Sequence, residues 1–158
     1  MSKTCLYLDD LRTPTKPPPG YKDWVVVRDY QEFEDYILKE GLPDLISFDH
    51  DLGMEHYLDL SEQTSRMGHQ IPVYELYKER TGLHCAKFLC DYILGIHENG
   101  TVEEINDLKF PHCGVHSANP VGAQNIQSYI NQFKRHMGWE ENCYIASPPF
   151  KIEENERI

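Results

Sequence analysis

The chain has 158 residues, 40% of them hydrophobic and 26% charged, with a formal net charge of −11, a length that suits one domain. The acid excess, with no basic group larger than Lys134-Arg135-His136, argues against a protein that coats duplex DNA, because phosphates must be neutralised by lysine and arginine. No apolar stretch approaches the roughly 20 residues of a membrane span, and Met1-Ser2-Lys3-Thr4 lacks the h-region and cleavage site of a secretory signal, so a cytoplasmic protein with no membrane partner is expected.

Thr4 to Leu8 reads as a first strand that runs into Asp9-Asp10-Leu11-Arg12. Thr13 to Lys22 holds Pro14, Pro17, Pro18, Pro19 and Gly20; such a run cannot be a helix interior, so the first crossover is a loop. Trp24 to Arg28 is β-branched and apolar, a second strand. Asp29 with Glu32 makes a capping-box-like helix start; Tyr30, Phe33 and Ile37 follow at helical spacing, and Gly41 with Pro43 ends the run. Asp44 to Phe48 is a third strand, running into Asp49-His50-Asp51-Leu52-Gly53.

Met54 to Arg80 breaks the rhythm: it is long, mixed and rich in Tyr, Glu and His. Long loops in compact domains are commonly lids or insertions, and one that directly follows Asp49-His50-Asp51 is expected to cover that end of the sheet. Thr81 then caps an apolar helix from Gly82 to His97, with Leu83, Ala86, Leu89, Cys90, Ile93 and Leu94 on one broad face. Pro111 to Val115 makes a fourth strand, ending in His116-Ser117-Ala118-Asn119-Pro120. Asn119 as N-cap and Pro120 at the first helical position open another helix, lined by Ile126, Ile130, Phe133 and Met137. Cys143 to Ala146 is a short fifth strand and the Glu-rich end a frayed tail. Residues 1–150 thus form a single domain carrying an insertion at 54–80, with a flexible tail at 151–158. Strands alternating with helices predict a three-layer α/β domain with a parallel sheet and right-handed crossovers. The five cysteines form no CxxC pair, which argues against a structural zinc site, and the odd count and lack of a signal argue against a disulfide framework; Cys85 and Cys90, in the predicted apolar helix, read as buried thiols.

If the first, third and fourth strands are parallel, their polar ends gather at the carboxyl edge, where open α/β sheets bind ligands. Asp9, Asp10, Asp49 and Asp51 would then crowd together, and like charges raise one another's pKa unless a cation compensates. Carboxylate oxygens favour Mg²⁺ or Mn²⁺; the plainer reading is that Asp at a strand end begins a turn. His50 and His116 can serve as acid and base near neutral pH, as a pair astride a phosphate does in opening a cyclic phosphodiester, or one can position a neighbour. Ser117 and Asn119 precede a helix N-terminus, which favours anions, although capping alone explains Asn119. Arg12 offers a fork for phosphate, or a salt bridge to Asp9, Asp10 or Asp49. Gly122 lets the helix start approach the sheet closely or helps cradle a ligand. Tyr57, Tyr74 and Tyr77 can stack on a base or simply pack; His56, His69 and His112 read as surface residues.

An acid pair ending the first strand, an Asp ending the third and Ser or Thr ending the fourth is the pattern of response-regulator receiver domains. The longer set, Asp9-Asp10-Leu11-Arg12-Thr13-Pro14, Asp49-His50-Asp51-Leu52-Gly53, Thr81-Gly82 and His116-Ser117-Ala118-Asn119-Pro120-Val121-Gly122, resembles the receiver-like cyclic-phosphate-processing domains. That resemblance implies a flavodoxin/receiver-like fold and a phosphoesterase acting on a cyclic phosphate: an RNA-end or nucleotide 2′,3′-cyclic phosphate, or a cyclic nucleotide signal. The expected site has Asp9, Asp10 and Asp49 holding the divalent cation. His50, His116 and Asp49 are its catalytic groups, and Arg12, Ser117 and Asn119 bind the phosphate. Two departures from an ordinary receiver stand out: the proline-rich first crossover, and Ser147 or Pro148 where a receiver carries a lysine before proline. The long insertion is a third difference, from the look-alike domains. A non-enzymatic pseudo-receiver phosphorylated on Asp49 is one alternative. A metal-dependent nuclease is another, disfavoured by the acidic surface. The sequence leaves a metal-centred and a histidine-pair mechanism both open.

Overall fold

The computed structural model describes residues 2–14, 16–52 and 80–145. The expected lid at 54–80, apart from Arg80, its tyrosines and histidines, the Ser147-Pro148 position and the tail at 151–158 lie outside the described residues. The elements in order are β1 (Cys5–Leu8), β2 (Val25–Val27), α1 (Tyr30–Glu40), β3 (Leu45–Phe48), α2 (Gly82–Asn99), α3 (Val102–Asp107), β4 (His112–Val115), α4 (Pro120–His136) and β5 (Tyr144–Ile145). The strands form one sheet in the order β2-β1-β3-β4-β5, every neighbouring pair parallel.

That order decides where the helices go. The step from β1 to β2 runs one way across the sheet; the steps from β2 to β3, β3 to β4 and β4 to β5 all run the other way. With right-handed crossovers the last three lie on one face. The packing agrees: α1 rests on α2, and α2 rests on α4. Strand alternation turns Leu6, Leu8, Ile46, Phe48, Cys113 and Val115 toward this helix layer, where they join Phe33, Ile37, Leu89, Ile93, Ile126 and Ile130 in one core. Among the described residues the proline-rich segment and Trp24 pack on the opposite face at β1. Cys5 Sγ donates to the Lys22 carbonyl at 3.3 Å, and Tyr7 meets the edge of Trp24 at 5.4 Å between ring centroids. The Trp24 indole N–H is held by the Lys16 carbonyl at 3.3 Å.

Local chemistry sets the boundaries. Asp29 caps α1 by accepting from Glu32 N–H at 2.8 Å, while Glu32 reaches back to the Arg28 N–H at 2.8 Å. Gly41 ends the helix with φ 86°, a conformation that only glycine adopts cheaply. The short α3 has no buried residue, so it leaves no apolar period in the sequence. Its signal is instead the reciprocal cap between Thr101 and Glu104, at 2.8 and 3.1 Å. All five cysteines are free and buried, among them Cys85 and Cys90, as their apolar helix implied.

Candidate functional site

Three backbone hydrogen bonds carry the parallel ladder one residue beyond the strands. Asp9 N–H donates to Val27 O (3.1 Å), Asp49 N–H to Leu8 O (2.9 Å) and His116 N–H to Phe48 O (2.8 Å). Asp9, Asp49 and His116 therefore stand side by side at the carboxyl edge. By alternation they face away from the helix layer, on the side of Tyr7, Ser47 and Gly114.

Asp9 is 1% exposed and is held on both oxygens. Its Oδ1 accepts the backbone N–H groups of Leu11 (2.9 Å) and Arg12 (2.8 Å). Its Oδ2 accepts Arg12 Nε (2.8 Å) and His116 Nε2 (2.9 Å). Burial on its own would raise its pKa; the His116 bond, the two backbone donors and the Arg12 charge outweigh it, and the carboxyl is held below its ordinary value. Arg28, which the sequence reading passed over as a strand end, buttresses this loop from behind. Its guanidinium donates to the carbonyls of Asp9 (3.0 Å) and Arg12 (2.7 Å).

Asp49 sits in the opposite electrostatic setting one strand away. Burial and the neighbouring Asp9 charge push its pKa up to about 7, against the weaker pull of Arg12 and a hydrogen bond from Ser117. Arg12 Nη2 stands 3.6 Å from its Oδ1, so the salt-bridge reading of Arg12 holds; its side chain also stays 34% exposed at the rim. Asp10 and Ser117 are half-buried. Ser117 Oγ accepts the Asn119 N–H at 3.1 Å, and Asn119 caps α4 through Gly122 N–H at 3.0 Å.

Both imidazoles lie beneath this rim. Alternation turns His50 toward the helix layer, where its ring is fully buried and Nδ1 donates to Asp51 Oδ1 at 2.9 Å. Asp51 is tied in turn to Asn119 Nδ2 at 3.3 Å. Gly122 lies flat on the ring: a Cβ there would stand 2.4 Å from His50 Cγ. The close-approach reading of Gly122 is thus the one realised. Gly82 does the same for α2, since a Cβ there would meet the Asp49 carbonyl oxygen at 1.9 Å, and its N–H donates to His50 O at 2.8 Å. His116 spans the sheet, with Nδ1 2.7 Å from Ser47 Oγ and Nε2 on Asp9. The sequence had the two rings approach a ligand from two sides; the strand ends turn one under α4 and lay the other back across the sheet.

Asp9, Asp10 and Asp49 each offer an oxygen, all within 4.8 Å of one another. Hard oxygen donors this crowded suit a divalent cation, and burial, then the neighbouring Asp9 charge, make the Asp49 carboxylate costly to ionise without one. The donor set therefore fits the expected ion.

A parallel sheet in this order, with acids closing β1 and β3 and a serine just past β4, defines a receiver-like α/β domain. The family model for the cyclic-phosphate processing receiver domain matches residues 4–132, and the chain belongs to that family. No curated protein and no solved structure matches the chain significantly. Among the described residues no helix is long and apolar enough to cross a membrane.

Proposed function

We propose that the carboxyl edge is the active site of a phosphoesterase that hydrolyses a cyclic phosphate, on a nucleotide or at an RNA end. Water adds to phosphorus, one ring P–O bond breaks, and the freed oxygen takes a proton. The observation that carries this reading is the cluster of Asp9, Asp10 and Asp49, whose carboxylate oxygens lie within 4.8 Å of one another, with the Arg12 guanidinium 3.6 Å from Asp49.

Asp9, Asp10 and Asp49 hold the cation, Mg²⁺ or Mn²⁺, which when bound polarises the phosphate and lowers the pKa of a bound water. Arg12 and Ser117 face the phosphate oxygens, with Asn119 ordering the N–H groups that open α4. Proton transfer falls to rim groups, with His50 acting through Asp51. Hydrolysis of 2′,3′-cyclic mononucleotides, followed with and without EDTA, tests this. Turnover that Asp49→Asn abolishes supports it; no turnover of 2′,3′- or 3′,5′-cyclic nucleotides by the wild type sinks it. Asp49 also closes β3 beside Asp9 and Asp10, where a receiver carries its aspartyl phosphate, so a signalling role is the second reading. Stable labelling of Asp49 by acetyl phosphate, without cyclic-nucleotide turnover, would favour it.

A further inference from the structure

We infer that Ser47 is a positioning residue of the carboxyl-edge site, acting through His116 to fix the Asp9 carboxylate, and that His116 serves the site by this relay. The inference deepens the phosphoesterase reading and rests on it for its functional consequence. Ser47 is the polar member of an otherwise apolar strand, Leu45-Ile46-Ser47-Phe48. It is 2% exposed and lies in register between Tyr7 on β1 and Gly114 on β4. A hydroxyl buried in mid-sheet costs free energy unless it is hydrogen-bonded, and its partner is His116 Nδ1 at 2.7 Å. The imidazole is fully buried. It stacks on Tyr7 with centroids 4.4 Å apart and planes 4° from parallel, so the ring cannot swing toward the rim without leaving that stack.

The chemistry of the partners sets the direction of the relay. Both Asp9 oxygens already accept N–H groups, and a carboxylate only accepts, so His116 Nε2 carries a proton. In the neutral ring Nδ1 is then the acceptor, and the Ser47 hydroxyl donates to it. The chain reads Ser47 O–H to Nδ1, then Nε2–H to Asp9 Oδ2. Asp9 in turn holds the Leu11 and Arg12 amides and the Arg12 guanidinium. Fixing one imidazole tautomer therefore fixes the loop that presents Asp10 and Arg12. Outer partners of this type commonly change metal affinity or activity about 10–100-fold when removed.

Nitrogen-15 correlation spectra of the full-length protein read the tautomer directly. His116 is expected with a protonated Nε2 and a bare Nδ1. Ser47→Ala should leave Nε2 protonated, shift the Nδ1 resonance by removing its donor, and weaken Mn²⁺ binding about tenfold, with the circular dichroism unchanged, while Ser47→Thr should restore both. A wild-type His116 protonated on Nδ1 alone overturns the inference. So does a Ser47→Ala protein with the wild-type imidazole spectrum and Mn²⁺ affinity. Should Ser47→Ala not fold, the wild-type spectrum and the Ser47→Thr protein still decide. A wild type that shows the expected tautomer but binds no Mn²⁺ and turns over no cyclic phosphate leaves the relay standing and removes the phosphoesterase reading.

Discussion

The two ends of the sheet divide space from chemistry. At the amino edge a cleft of about 510 Å³ opens between Tyr21, Asp44, Tyr92, Glu104, Phe110 and His112. Two of its acids are already employed in holding the fold: Asp44 accepts the Thr4 amide at 2.9 Å, and Glu104 caps α3 at 2.8 Å. At the carboxyl edge Asp9, Asp49, His50 and His116 are almost wholly buried, yet two adjacent carboxylates are driven to opposite sides of their ordinary pKa. A roomy pocket is a common guide to a ligand site. Here the stronger guide is a buried acid whose charge the fold does not balance.

The largest effect should separate these two ends in turnover. Asp49→Asn and Asp10→Asn are each expected to lower the rate on a cyclic nucleotide by on the order of a hundredfold or more, because each removes a carboxylate that would hold the cation. Asp44→Asn, at the other end, should leave kcat within about twofold, because its exchange removes only a local hydrogen bond. An Asp44→Asn protein as impaired as Asp49→Asn would move the active site to the cleft.

Stability against pH sharpens the contrast between the two acids. The Asp49 pKa rises from 3.8 to about 7 on folding. Below about pH 4 both states are protonated and nothing is lost. Between the two values the folded state binds the extra proton, so stability falls as pH rises, and above 7 the whole penalty is present. Asp49→Asn should therefore be more stable than wild type at pH 8, by on the order of a few kcal/mol, with the gain fading toward pH 4. Added Mg²⁺ should narrow the gap by stabilising only the wild type. Asp9, whose pKa is lowered, works in the other sense: its contribution is present above its unfolded value and is lost as pH falls. Urea melts at pH 5 and pH 8 would show it; a variant destabilised at both breaks the reading of Asp49 as a strained acid.

Much of this site is written in local sequence, because strand ends and helix caps depend on neighbours a few residues away. The acid pair after β1, the Asp after β3 and the Asn119-Pro120 start of α4 are of that kind. What stays hidden is which way each side chain turns. His50 and His116 look alike in the sequence, but one follows its strand by two residues and the other by one, so alternation sends them to opposite faces. The bond between Ser47 and His116 joins residues 69 positions apart, and nothing local announces it, although a serine in an apolar strand is a fair signal of a buried partner. Arg28 was hidden in the same way, since its carbonyl partners sit 16 and 19 positions away.

Close packing at the carboxyl edge gives a smaller, structural effect. A Cβ at Gly122 would press into the His50 ring from 2.4 Å, and a buried ring tied to Asp51 has little freedom to give way. Gly122→Ala should cost about 1–3 kcal/mol, the usual penalty of overpacking. It should also lower turnover, because the α4 start carries Asn119 and Ser117. A lowered melting temperature with turnover unchanged would separate His50 packing from function.

The smallest effect belongs to the other end and has the opposite sign. Gly95 lies in the second half of α2, near Tyr92 and Ile96 at the amino-edge cleft. A Cβ built on it meets nothing within 4 Å. Glycine inside a helix keeps backbone freedom in the unfolded chain that folding must remove, and alanine reduces that loss by roughly 0.5–1 kcal/mol. Gly95→Ala should therefore raise the melting temperature slightly and leave cyclic-nucleotide turnover unchanged, whereas the same methyl at Gly122 lowers stability. One added carbon on each of two helical glycines thus tests whether the carboxyl edge is the closely fitted end. Destabilisation by Gly95→Ala would mean that the amino-edge cleft is filled or closed in solution, and the contrast between the two edges would have to be redrawn.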